Sequence, residues 1–133
     1  MDLKEILENA RTIAVVGLSP DRSRTSNWVA SYMQSRGYRI VPVNPRETGK
    51  KILGERVYPD LLSIPFDVDI VNIFRRSEFV YPHVEEAVKK KAKVVWMQLG
   101  VYNEEAAELA RENGLEVVMN MCIATTHSAI FGL

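Results

Sequence analysis

The sequence predicts an α/β fold, a single doubly wound domain over residues 1–133 built on a mainly parallel five-stranded sheet. Three observations carry this. Five short runs rich in Val and Ile are mostly apolar rather than alternating, as strands covered on both faces should be. Stretches with helical spacing lie between them, and Gly37 and Gly114 follow two of those stretches where a left-handed C-cap residue belongs.

Taken in order, Met1 to Arg11 opens the chain with Leu3, Ile6 and Leu7 at helical spacing among Asp2, Lys4, Glu5 and Glu8. It is expected to be a short amphipathic helix over about 2–10, not a signal peptide. The strands are placed at Thr12 to Val16, Arg39 to Val43, Asp69 to Phe74, Lys93 to Leu99 and Leu115 to Met119. Helices are placed at Asn27 to Arg36, Glu78 to Lys90 and Glu104 to Glu112. Strand and helix alternate, so right-handed crossovers and a Rossmann-like sheet follow. The stretch from Gly37 to Asp69 is irregular beyond its strand, with Pro42, Pro45, Pro59 and Pro65, and offers only a short helix around Asp60 to Ser63.

Seventeen Lys plus Arg balance seventeen Asp plus Glu, with no block of like charge. A nucleic-acid arm and a membrane-surface patch are thereby disfavoured. No apolar run reaches spanning length, and the one cysteine, Cys122, rules out an internal disulfide framework and fits a reducing cytoplasm.

Ligands of an open parallel sheet bind beyond the carboxyl ends of its strands, near the point where strand order reverses. After the first strand comes Gly17-Leu-Ser-Pro-Asp-Arg-Ser-Arg-Thr-Ser26, which lacks the further glycines of a dinucleotide turn. It offers hydroxyls at Ser19, Ser23, Thr25 and Ser26, guanidinium groups at Arg22 and Arg24, and the free amides of a helix N-terminus. That set suits phosphate, because backbone donors and the helix dipole hold an anion and arginine adds charge-assisted bonds. An N-capping hydroxyl and solvated arginines are the plainer reading of the same loop. The second strand ends in Val43-Asn44-Pro45-Arg46 where an NAD site carries an acid. Asn44 can bond sugar or base, and Arg46, Lys50 or Lys51 can meet a phosphate on the ribose, so an adenosine diphosphate with an added ribose phosphate fits better than NAD.

The stretches VVGLSPDRSR, VPVNPR, VYPDL, VNIFRRSE, WMQLG and NMCIATTH, in this order from about Thr12 to His127, resemble the small CoA-binding proteins. Their domain is similar to the N-terminal CoA domain of the succinyl-CoA synthetase alpha subunit. The resemblance implies coenzyme A, or an acyl-CoA, laid across the strand ends. It implies phosphate contacts from Gly17, Ser19, Arg22, Ser23 and Arg24, with Val43, Asn44 and Pro45 bordering the adenosine. Phe74 and Arg75 would face the ligand after the third strand. Trp96, Met97 and Gln98 would close the fourth, with Gln98 able to bond the pantetheine amides. Leu99 stands where the commoner form of the motif has proline.

Cys122 follows the fifth strand, which puts it on the same edge, though a lone cysteine is more often a small buried apolar residue. Tyr58 can shape the edge of the site or simply pack under the proline-rich loop. Catalysis has little support: His83 lies in a helix, His127 has no acid partner or nucleophile at triad spacing, and nothing resembles a metal cluster. The expectation is a binding protein rather than an enzyme. An NADP-dependent oxidoreductase is the alternative, disfavoured by the lack of a recognisable hydride-transfer site. A CoA-loaded module that docks onto a partner subunit or a second copy of itself is the other.

Overall fold

The computed structural model describes residues 1–132. Strands β1 (Thr12–Val16), β2 (Arg39–Val43), β5 (Ile70–Ile73), β6 (Val94–Met97) and β7 (Glu116–Val118) form one sheet in the order β2-β1-β5-β6-β7, with every pairing parallel. A hairpin of β3 (Lys51–Ile52) and β4 (Glu55–Arg56) lies outside it. The sheet is thus entirely parallel, and three of its strands are a residue or two shorter at each end than their apolar runs. The flanking residues are spent on turns.

Side-chain alternation sends each strand into two cores. Ile13 and Val15 of β1 pack with Ile6 and Leu7 of helix α1 (Leu3–Asn9), Val29, Ala30 and Met33 of α2 (Thr25–Ser35) and Ile123 of α5 (Ile123–Phe131). Ala14 and Val16 point the other way, toward Val84 and Ala87 of α3 (Tyr81–Lys90) and Ala106, Ala107 and Ala110 of α4 (Glu104–Glu112). Both faces of the sheet are therefore covered, which explains the largely apolar runs. β2 is an edge strand of the sheet and contains Pro42, whose missing N–H an edge tolerates. Its carbonyl instead accepts from the Tyr58 N–H at 3.0 Å.

Several elements differ from the sequence reading. α2 begins two residues early, at Thr25, and the stretch placed at Glu78 to Lys90 divides into a 3-10 turn (Ser77–Phe79) and α3, with Pro82 in the first turn of the latter. Asp60 to Ser63 is a turn and not a helix. Asp60 Oδ1 accepts from the Ser63 N–H at 2.8 Å and Leu61 C=O from the Ile64 N–H at 3.2 Å, which satisfies the backbone within one turn. The β3–β4 hairpin and α5 were not anticipated. Among the described residues no helix is long and apolar enough to cross a membrane.

Candidate functional site

The chain leaves β1 toward β2 on one side and leaves β5 toward β6 and β7 on the other. Their carboxyl ends therefore diverge, and a crevice opens between them. Gly17 forms its floor. The Gly17 N–H donates to Val43 C=O at 2.8 Å, and the Phe74 N–H donates to Val16 C=O at 2.9 Å. With φ at +86°, a Cβ on residue 17 would lie 2.5 Å from the Phe74 carbonyl oxygen and 3.4 Å from Arg75 Cδ. Only glycine fits both the conformation and the space.

The loop beyond Gly17 is built by its own polar groups. The Ser19 N–H donates to Ser26 Oγ at 3.0 Å, Asn27 Nδ2 donates to Ser19 C=O at 2.9 Å, and Asn44 Nδ2 donates to Leu18 C=O at 2.9 Å. Asn44 Oδ1 accepts from the Arg46 N–H at 3.0 Å, so both ends of this amide brace backbone. The Ser23 N–H and hydroxyl donate to Asp21 Oδ1 at 2.9 and 2.7 Å, and these bonds hold the Asp21 carboxyl below its usual range. The Ser23 hydroxyl is thus turned to a carboxylate. Arg24 caps α2 in extended conformation without a side-chain bond to the helix, so the N–H groups of Thr25 and Ser26 have no intrahelical acceptor.

At the far end of the crevice a chain of amides fixes one orientation. Asn72 Nδ2 donates to Trp96 C=O at 3.2 Å and to Gln98 Oε1 at 3.3 Å, and the Ile123 N–H donates to the same oxygen at 3.2 Å. Gln98 must therefore present its oxygen to these two donors, which leaves Nε2 buried without a partner. Cys122 caps α5 with no side-chain hydrogen bond. Two uncapped helix N-termini, of α2 and α5, thus border one space.

That space is a cleft of about 540 Å³, within the range of small-molecule and cofactor sites, roughly 300–1,000 Å³. It brings together six of the sequence-predicted residues: Gly17, Ser19, Arg24, Phe74, Gln98 and Cys122. Arg22 and Ser23 are exposed and, like Val43, Asn44 and Pro45, do not line the cleft. Arg75 lies over the Phe79 ring with its guanidinium carbon 5.3 Å from the centroid. Trp96 is 0 % exposed and its indole N–H donates to Met121 C=O at 2.9 Å. It packs in the α2–α5 core, where it holds the segment leading into α5.

The cleft also takes Thr25 and Ser26, whose hydroxyls belong to the phosphate-suited set read from the sequence, and Trp28, Leu99, Val101 and Thr125, which the sequence reading did not give to the ligand. Thr125 was missed with its helix. Its signal was present: Ile123, Ala124, His127, Ile130 and Phe131 have the spacing of one helical face.

His127 is buried in that helix, with Nδ1 3.0 Å from the Tyr32 hydroxyl and the ring edge-on to Tyr32 and Tyr38. Burial first, then the Arg36 charge, lower its pKa. Burial and Arg75 do the same for His83. Among the described residues no group of three His, Cys, Asp or Glu side chains is placed to hold a metal ion.

A doubly wound parallel sheet with a cleft at its crossover defines a Rossmann-like α/β domain. The chain belongs to the CoA-binding domain family, which matches residues 11–128. It is 44 % identical to the Bacillus subtilis protein YneT over 127 residues, covering 96 % of this chain and 93 % of YneT. The Thermus thermophilus structure described as cell-free ID.343 superposes with a TM-score of 0.95 at 34 % identity, over 98 % of this chain and all of that one. The alpha subunit of the ADP-forming acetate–CoA ligase II of Pyrococcus furiosus is 27 % identical over 133 residues, 90 % of this chain. The chain spans only 29 % of that subunit, so it corresponds to one domain of a larger enzyme.

Proposed function

We propose that this protein binds coenzyme A or an acyl-CoA along the carboxyl edge of its sheet, and that it acts by holding this ligand and not by transforming it. The observation that carries the reading is the continuity of one cleft between two chemically different ends. Ser19, Arg24 and the open first turn of α2 form an anion-binding end, while Phe74, Leu99, Val101 and Cys122 supply apolar walls with the Gln98 amide among them. CoA has that polarity: a pyrophosphate, then an arm of methylenes and amides.

The residues fit the cofactor on two further counts. The floor at Gly17 has no room for a Cβ, which keeps the β1 turn tight against the end of β5 beside the open first turn of α2, a site suited to phosphate. The unpartnered Gln98 Nε2 offers a donor at the far end of the cleft, toward which the arm would run. Val43 and Pro45 would border the adenosine, and Arg46, with Lys50 and Lys51 nearby, would meet its ribose phosphate. The family match and the ligase relative support the same ligand. Trp28 and Leu99, 46 % and 67 % exposed at the mouth of the cleft, favour a second role in which the loaded domain docks against a partner.

Thermal unfolding with CoA, dephospho-CoA, NAD and NADP at equal excess tests the reading, since a ligand that binds only the folded state raises the melting temperature. CoA should give the largest rise and dephospho-CoA a smaller one. Stabilisation by NADP with none by CoA would refute the proposal.

A further inference from the structure

Gln98 carries an observation that the fold alone does not explain. Its side chain is 3 % exposed, and among the described residues Nε2 is the one buried side-chain nitrogen or oxygen without a hydrogen-bond partner. A buried unmet donor costs about 1–3 kcal/mol, and a rotated amide cannot relieve it. Rotation would set the NH2 group against two donors, the Ile123 N–H and Asn72 Nδ2, and Asn72 is itself fixed by Trp96 C=O. The lining of the cleft includes Gln98, Cys122 and Thr125. In α5 the Thr126 N–H reaches Cys122 C=O and the Ile123 N–H is used by Gln98, so the N–H groups of Ala124 and Thr125 are the open donors of the first turn. This end of the cleft therefore presents donors without matching acceptors, and Phe74, Leu99 and Val101 surround it.

We propose that the α5 end of the cleft is a receptor for the thioester carbonyl oxygen of an acyl-CoA, with Gln98 Nε2 as its donor and the open first turn of α5 beside it. The inference rests on the CoA reading above and specifies the form of the ligand. A free thiol brings no acceptor comparable to a carbonyl, so it leaves Nε2 unmet, whereas a thioester places an oxygen next to the terminal sulfur. The position is consistent with the end of the ligand. Gln98 and Cys122 follow β6 and β7, two and three strands away from the β1 turn, or about 10 and 14 Å across the sheet at the usual strand spacing. The apolar side chains around the donors accommodate a short acyl group.

Titration calorimetry with acetyl-CoA, S-ethyl-CoA and free CoA tests this, because the thioether keeps the length of the acetyl compound and lacks its carbonyl oxygen. Acetyl-CoA should bind wild-type protein roughly tenfold tighter than S-ethyl-CoA, the effect of one buried donor gaining its acceptor. Gln98→Glu keeps an oxygen for Ile123 and Asn72 but removes the donor, and should reduce the preference to within about twofold.

Equal affinity of acetyl-CoA and S-ethyl-CoA for wild-type protein would overturn the proposal and leave CoA binding intact. A tenfold preference that persists in Gln98→Glu would overturn the assignment to Gln98, and uniform weakening of all three ligands in that variant would transfer the contact to a pantetheine amide. Failure of all three to bind wild type would remove the CoA reading itself. The wild-type comparison decides even if the variant does not fold.

Discussion

Gly17→Ala places a methyl group where the end of β5 already stands. The new Cβ would lie 2.5 Å from the Phe74 carbonyl oxygen, nearly 1 Å inside the 3.4 Å at which ordinary contact begins. The obstacle is backbone, and it belongs to a strand paired with β1 through Val16 and Ile73, so it cannot swing aside like a side chain. Two costs combine. A left-handed conformation costs an L-residue about 1–2 kcal/mol, and inserting a methyl into packed surroundings costs about 1–3 kcal/mol. The expected loss is about 2–5 kcal/mol, a large part of the roughly 5–15 kcal/mol that holds a domain together.

Gly37→Ala separates the two costs, because Gly37 has φ +97° and nothing within 4 Å of its would-be Cβ. It should lose only the conformational part, about 1–2 kcal/mol. Urea unfolding of wild type and both variants gives the comparison from midpoints at constant slope. In conditions where Gly17→Ala remains folded, CoA affinity should fall about tenfold or more, since the widened β1–β5 gap moves the anion-binding turn away from Gln98. Equal costs for Gly17→Ala and Gly37→Ala would refute the close approach as the reason for this glycine.

Arg24→Ala should weaken CoA binding by about 1.5–3 kcal/mol, the worth of a charge-assisted bond, whereas Arg22→Ala, outside the lining of the cleft, should cost less than half as much; calorimetry of the pair checks the ordering. Leu99→Pro should raise stability by about 0.4–1 kcal/mol in chemical unfolding. The Val101 N–H donates to Gln98 C=O at 2.8 Å, Gly100 has φ +85° and Leu99 is not at positive φ, which together define a type II turn with Leu99 in the position that favours proline. Stability should also fall as pH drops from 7.5 to 5. His127 and His83 have folded pKa values below the 6.5 of the free side chain, so their contribution is complete above that value and is lost as the unfolded chain takes up protons below it. A His127→Gln variant should show a flatter dependence in melting scans, and an unchanged slope would mean that the Tyr32–His127 pair is not coupled to folding.

The strands and the helices between them were legible because a parallel sheet covered on both faces leaves an unmistakable pattern. Every side chain of β5 and β6 is buried, and their runs in the sequence are apolar except for Asn72. The failures have physical reasons. Strand ends were overestimated because Asp69, Phe74 and Gln98 carry strand-like neighbours while serving as loop braces or site residues. The hairpin of β3 and β4 has two residues per strand, too few to show alternation. α5 is short and begins within CIATTH, whose polar Thr125, Thr126 and His127 interrupt its apolar face, although Ile123, Ala124 and His127 are all buried.

The site was legible where chemistry is local and illegible where it depends on one residue's partner. A turn containing Ser19 and Arg24 announces an anion site from composition alone, because each group there acts through its own charge or hydroxyl. Composition does not reveal that Ser23 gives its hydroxyl to Asp21, that Asn44 spends its whole amide on backbone, or that Trp96 is enclosed. All three are polar or aromatic residues at strand ends or in the first-turn loop, the same description that fits Gln98. What separates Gln98 from them is the accounting of its two ends, one engaged by Ile123 and Asn72 and the other by nothing. A donor kept unmet where the other buried side-chain groups of the described residues are satisfied is a cost that folding alone would remove, and a ligand carbonyl is the group that would return it.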